Sequence, residues 1–411
     1  MHPTRSLSTA LFLAVLAILP AAEPAPLPAS TPWNLEKLEK APKMEWLDET
    51  SPVRTLVYAG EPYQGKPSRV FAVYATPATI SGHAEDKGPW PAIVLVHGGG
   101  GTAFPEWVTL WAKHGYAAIA MDLGGMVPDL KSPENAKLRT PLADGGPKQD
   151  DDVKFFTIAT EDLSDDWPYH AVANTILAHS LIRSLPGVDP ERTALTGISW
   201  GGYTTCLAAS VDARFKAAVP VYGCGHLSEN SAWLKQFTKM GPEQTAKWTK
   251  LYDPGTYLPS CKVPMLFVNG TNDFAYPLDS YMKCFDAVPS PKNIRIQIKM
   301  PHGHPPGWAP REISAFIDSK LLGTPKLPVL DRPAAKDGTA SAKVHDAAIQ
   351  SGTFVFSNTP GLINKLEWQE TAATLGADGQ LTAPLPAGTR IYYFTATMAD
   401  GLMVSSPVVI E

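Results

Sequence analysis

The chain has 411 residues, 44% of them hydrophobic and 18% charged, with a formal net charge of −5. That hydrophobic share supports a sizeable core and excludes a largely disordered chain, and the length accommodates one large domain with a small companion. Without a surplus of clustered Lys and Arg a nucleic-acid partner is excluded.

The first 22 residues read as an export signal. His2 and Arg5 precede the apolar run Leu11–Leu19, which is too short to span a bilayer, and Ala21–Ala22 offers a cleavage region. No Cys follows that run, so lipid attachment is not expected. The mature chain is expected to be secreted or periplasmic, with no stable membrane insertion after cleavage. A Pro/Ala-rich stretch to Pro32 reads as a disordered leader, and Val53–Tyr58 and Arg69–Tyr74 as the antiparallel start of a sheet.

From residue 91 apolar runs alternate with helix-length segments. Ala92–Val96, Tyr116–Met121, Thr193–Thr196, Ala217–Val221, Pro264–Asn269 and Ile294–Met300 read as strands, with helices over 106–114, 168–185 and 310–321. This alternation predicts an α/β fold: a mostly parallel sheet with helices on both faces, joined by right-handed crossovers. Residues 126–165 lack a period and read as a surface excursion near the strand ends. Residues 223–260, with Trp233, Phe237, Trp248, Tyr252 and Tyr257 at helical spacing, read as a cap inserted between core strands. The large domain spans 33–322, a Pro-rich linker 323–335, and short β-rich runs at 353–356, 390–397 and 402–410 predict a small β-sandwich over 336–411, immunoglobulin- or fibronectin-like.

Gly197-Ile198-Ser199-Trp200-Gly201 sits between a predicted strand and a predicted helix. G-x-S-x-G in that context places a nucleophilic serine on a sharp strand-to-helix turn, where side chains two residues either side would clash. A serine needs a base, and the base an orienting carboxylate, each at the end of a later strand. Asp273, ending Gly270-Thr271-Asn272-Asp273, is the acid candidate. Pro301-His302-Gly303-His304 supplies the base: His304, on a Gly-His step, is preferred, and His302 is the alternative. Oxyanion donors are expected from the backbone N–H of Trp200 and from the glycines after the 92–96 strand, Gly98, Gly99 and Gly100. Tyr222 and Trp308 are candidates to line the pocket, with core packing as the alternative. His97, His114, His170, His179 and His226 are scattered without metal-ligand spacing, and the glycine run lacks both phosphate-loop and dinucleotide patterns. No metal and no cofactor is therefore expected. Export permits disulfides among Cys206, Cys224, Cys261 and Cys284; a Cys224–Cys261 bridge closing the cap segment is preferred, while Cys206 and Cys284 read equally well as buried thiols.

The runs Val188-Asp189-Pro190-Glu191-Arg192, Leu195 through Tyr203, and Asp212-Ala213-Arg214-Phe215 resemble those of the α/β-hydrolase superfamily. Within it the chain is similar to acetylxylan esterase/cephalosporin deacetylase enzymes, dienelactone hydrolases and the catalytic domains of prolyl oligopeptidase-type peptidases. The likeness covers about residues 50–322 and implies an α/β-hydrolase fold with Ser199, Asp273 and His304 as the triad. Two departures stand out: narrow-type dienelactone hydrolases carry Cys where this chain has Ser199, and the stretch before His97 is too short for a β-propeller. The expected activity is secreted carboxylic-ester hydrolysis, on a small acyl ester or an acylated polysaccharide. The alternatives are a peptidase of the prolyl oligopeptidase clan and a non-catalytic binding protein on a hydrolase scaffold.

Overall fold

A computed structural model describes residues 23–83, 85–131, 138–160 and 162–411. The predicted export signal, residues 1–22, lies outside them. The central sheet contains β1 (Met44–Asp48), β2 (Arg54–Ala59), β3 (Arg69–Ala75), β4 (Trp90–Val96), β5 (Ala117–Met121), β6 (Val188–Ile198), β7 (Ala217–Val221), β8 (Met265–Gly270) and β9 (Lys292–Gln297). Its spatial order is β1-β2-β3-β5-β4-β6-β7-β8-β9, antiparallel as far as β5 and parallel beyond. β5 and β7 are buried at every position, because helices cover both faces of a parallel sheet. β4 lies between β5 and β6, so the chain winds to one side after β4 and to the other after β5, and the resulting crevice at the carboxyl ends of the strands is where such sheets place their sites.

The helices that matter here are α1 (Pro105–Lys113), α2 (Trp167–Ser184), α3 (Trp200–Val211), α4 (Leu234–Tyr252), α5 (Leu278–Ala287) and α6 (Arg311–Leu321). α2 has lost its amphipathic pattern because nearly all of it is buried. Inside it, His179 Nδ1 donates to the Asp212 carboxylate at 2.7 Å and its ring stacks on Phe215 at 3.6 Å, while Asp212 also holds Arg214. The Asp212–Phe215 run is thus a buried clamp between α2 and the end of α3.

Several expectations are corrected. The stretch before Pro32 is not a free leader: Ala25 N–H bonds the Pro259 carbonyl, and Ser260 bonds the Pro26 carbonyl, each at 2.9 Å. The 126–165 excursion is not wholly superficial, since Phe155 and Ile158 are buried and Trp248 of α4 bonds the Lys154 carbonyl at 2.9 Å. The preferred Cys224–Cys261 bridge does not form. All four cysteines are free and buried; Cys261 Sγ lies 3.8 Å from Met265 Sδ, while Cys284 Sγ receives the Gly225 N–H. Burial pushes the Cys261 thiol up to about 11 and those of Cys206 and Cys224 well above their ordinary value, so these thiols are inert hydrophobes.

Beyond α6, Ser351–Ser357 pairs with Gln369–Leu375 and Ile391–Thr397, and Thr339–His345 pairs with Gln380–Pro384. The two layers meet where Leu381 packs against Gly352, leaving no room for a Cβ there. The segment expected as a linker contributes strands of its own, Val329–Leu330 and Ala334–Lys336, both paired with Thr339–His345. Met403–Ser405 also pairs with β9, Ile294 opposite Ser405. Among the described residues no helix is long and apolar enough to cross a membrane.

Candidate active site

Ser199 stands between β6 and α3 with φ 59° and ψ −117°, outside the regions a side chain prefers. Such a conformation costs about 1–3 kcal/mol and persists only where the surroundings enforce it. They do: Ser199 N–H bonds the Val221 carbonyl of β7 at 2.9 Å, and its carbonyl receives Tyr203 N–H at 2.9 Å. The turn is so tight that a Cβ on Gly197 would lie 2.2 Å from the Gly201 carbonyl oxygen, and one on Gly201 would lie 2.0 Å from that of Val96. These two contacts account for the glycines of the motif.

Asp273 follows β8 and is 2% exposed. Its Oδ1 accepts the backbone N–H groups of Ala275 (2.9 Å) and Tyr276 (2.8 Å), which aims Oδ2 at the loop after β9. There His302 Nδ1 lies 2.6 Å from Asp273 Oδ2, and His302 Nε2 lies 2.9 Å from Ser199 Oγ. The carboxylate requires Nδ1 to carry the proton, which leaves Nε2 free to accept the serine hydroxyl. Ser199, His302 and Asp273 therefore form one hydrogen-bonded chain.

The preference for His304 is corrected by this geometry. Its Nε2 accepts the Gly98 N–H at 2.9 Å, and among the described residues no carboxylate pairs with it. Its ring packs 4.7 Å from Phe104 and 6.4 Å from Trp308. Burial, and then the charges of His97 and His302, push His304 down to about 3. A neutral ring whose lone pair is already engaged cannot be the proton acceptor for Ser199.

The glycine loop is braced from below. His97 Nδ1 donates to the Gly98 carbonyl at 2.7 Å, and its Nε2 accepts the Leu123 N–H at 2.9 Å. Arg139, from the excursion, donates to the Gly101 carbonyl at 2.5 Å. Of the three glycines expected as donors, Gly98 has its N–H committed to His304. Gly100 turns the loop with φ 71°, and a Cβ added there would meet nothing within 4 Å. Gly99 lies beside the nucleophile's neighbour, where an added Cβ would sit 3.2 Å from the Trp200 ring. Of the expected donors, then, Gly98 alone has its N–H drawn away from the nucleophile, while Gly99 lies against the Trp200 ring.

Tyr222 and Trp308 were the pocket candidates. Tyr222 donates to the Pro301 carbonyl at 2.6 Å and stacks on His302 at 4.5 Å, so it holds the base loop. Trp308 lines a cavity of about 180 Å³ with Trp107, Trp111 and His114, on the α1–α6 side, which includes neither Ser199 nor His302. That cavity is not the site. The cap contributes Trp233, 4.6 Å from the Trp200 ring and 5.2 Å from Tyr276. Its other aromatics are buried packing.

Three neighbours carry no sequence signature. Lys154 sits 4.8 Å over the Trp200 ring, and burial pushes it down to about 8 against the pull of Asp151. Phe274 is 58% exposed beside His302, at 5.0 Å. Tyr276 is fully buried between His302 and Trp233. Only its position three residues after the acid could have drawn attention to it.

The fold is that of the α/β-hydrolase superfamily, and Ser199, His302 and Asp273 stand in the hydrogen-bonded order that serine hydrolysis requires. Within that class two family models match: the acetyl xylan esterase family over residues 33–236, and the prolyl oligopeptidase family over residues 160–316. The acetyl esterase Axe7A of Xylanibacter ruminicola is 20% identical over 219 residues, 51% of this chain and 48% of that protein. The chain thus spans about half the length of the curated relative it matches. Among solved structures, the acetyl xylan esterase from Paenibacillus sp. R4 has a TM-score of 0.56 at 21% identity, covering 70% of this chain and 92% of the other. Acetyl xylan esterase 1 from Thermoanaerobacterium sp. JW/SL YS485 has a TM-score of 0.51 at 16% identity, covering 72% and 94%. At these identities the likeness is one of fold.

Proposed function

We propose that the chain is an exported carboxylic-ester hydrolase that removes acetyl or similarly small acyl groups from carbohydrate. The observation that carries this reading is the unbroken chain from Ser199 Oγ through His302 to Asp273. Ser199 Oγ attacks the acyl carbonyl while its proton passes to His302 Nε2, and Asp273 stabilises the imidazolium that forms. The N–H groups of Trp200 and Gly99 receive the developing oxyanion. His302 then protonates the departing alkoxide, leaving an acyl group on Ser199. A water, deprotonated by His302, attacks that acyl-enzyme and returns the serine. A small acyl group is supported by the packed rings of Trp200, Trp233 and Tyr276, which follow the nucleophile and the acid in the chain or pack on those that do. The acetyl xylan esterase match supports an acetylated polysaccharide as substrate.

A second reading, a peptidase, is favoured by the prolyl oligopeptidase match, whose span contains Ser199, Asp273 and His302. One assay separates them: p-nitrophenyl acetate against an aminoacyl-p-nitroanilide, for the wild type and Ser199→Ala. Ester hydrolysis that disappears with the serine is expected. Anilide hydrolysis exceeding ester hydrolysis would move the chain to the peptidases, and activity surviving Ser199→Ala would overturn both readings.

A further inference from the structure

The hydroxyl of Tyr276 is fully buried and, among the described residues, has no hydrogen-bond partner of normal geometry. Buried hydroxyls almost always find one, because an unmade bond costs the full desolvation of the group. The residue is not loosely held. Its N–H donates to Asp273 Oδ1 at 2.8 Å, and its carbonyl accepts Asn269 Nδ2 at 3.0 Å. Its ring lies parallel to that of His302 at 6.4 Å, with Trp233 on another side at 5.2 Å. A side chain fixed this firmly could have been seated with its oxygen on a carbonyl; instead the polar group it faces is the Ser199 hydroxyl, close enough to oppose the effect of burial on its ionisation.

Burial raises the phenol well above its ordinary range, so it stays protonated and can only gain by donating to an acceptor that arrives. The resting site is short of such donors, because His304 has taken the Gly98 N–H. We infer that Tyr276 Oη is a catalytic hydrogen-bond donor to the acyl oxygen of the bound ester, satisfied only once the tetrahedral intermediate forms on Ser199. This deepens the esterase reading and rests on it. The phenol then acts beside the Trp200 and Gly99 N–H groups, in a water-poor site where a donor aimed at developing charge has its greatest effect.

The test is Tyr276→Phe, which keeps the ring and removes one oxygen, assayed with p-nitrophenyl acetate alongside Ser199→Ala. Loss of one donor should lower kcat by about 10²-fold with KM changed by less than about threefold. The thermal midpoint should be no lower than that of the wild type, because the hydroxyl makes no hydrogen bond of normal geometry among the described residues. A kcat within about threefold of wild type would overturn the inference. So would a lowered midpoint accompanying the loss, which would make the hydroxyl structural. If Ser199→Ala retains activity, the esterase reading itself fails. If Ser199→Ala is inactive and Tyr276→Phe is not impaired, only the role of Tyr276 falls.

Discussion

Two histidines two residues apart flank Ser199, and the two sides of the nucleophile treat them oppositely. On the acid side, His302 is gripped by a carboxylate through Nδ1, stacked on Tyr222, and offers Nε2 to the serine. On the glycine-loop side, His304 meets Phe104 and Trp308 and spends its Nε2 on a backbone N–H. One environment pairs the ring with a carboxylate and the serine hydroxyl, and the other holds it neutral by burial. A histidine's role is thus set by what its other nitrogen faces, not by its residue type or its place in a motif.

The difference can be broken most severely on the acid side. His302→Ala should lower kcat for p-nitrophenyl acetate by about 10⁴-fold or more, and Asp273→Asn by about 10⁴-fold through loss of the correct tautomer. His304→Ala, measured in the same assay, should cost only about 10- to 100-fold, the scale of a displaced oxyanion loop. Equal losses at 302 and 304 would erase the distinction. His304→Gln should recover most of the loss of His304→Ala, since an amide oxygen can still accept the Gly98 N–H.

A gentler probe is acid. His304 has a folded value of about 3 against an ordinary 6.5, so between these the unfolded chain binds a proton that the folded chain refuses. Its contribution to stability is complete above about pH 6.5 and is lost progressively as the pH falls toward 3. Burial depresses His97 and His170 as well, adding to the same slope. The urea midpoint should fall between pH 7 and pH 4, and fall less steeply in His304→Gln. The smallest effect is expected at Asn272, whose Nδ2 bonds the Asn364 and Leu366 carbonyls at 3.3 and 2.8 Å. Asn272→Ala should cost about 1 kcal/mol in urea titration, with kcat little changed.

Ser199 and Asp273 were legible because each follows within a few residues of a strand, and a motif at a strand end is positioned by the strand. The base was not, because His302 and His304 share one short loop whose path is decided by the Tyr222 bond to Pro301, a contact across the fold. The same applies to Gly98: glycine spacing says that backbone can approach, but not that a histidine 206 positions away takes the N–H. The excursion hid its packing because it is anchored by single residues such as Phe155 and Lys154 rather than by a repeating face. Cysteine spacing was silent about burial, which is what governs these thiols.

The pairing of Met403–Ser405 with β9 has a consequence for how this chain can be cut. β9 is the last parallel strand, and its outer rim would otherwise present bare N–H and C=O groups to any passing strand. Ser405 Oγ accepts the Ile296 N–H at 2.9 Å, and Glu312 of α6 accepts the Met403 N–H at 2.8 Å, so that rim is sealed by the final stretch of the same polypeptide. The strand carrying the histidine loop is therefore flanked by β8 on one side and by Met403–Ser405 on the other. A hydrolase half trimmed at residue 322 would keep all three residues of its relay yet expose a sticky border directly behind them. Self-association rather than a clean smaller enzyme is the expected product of such a truncation.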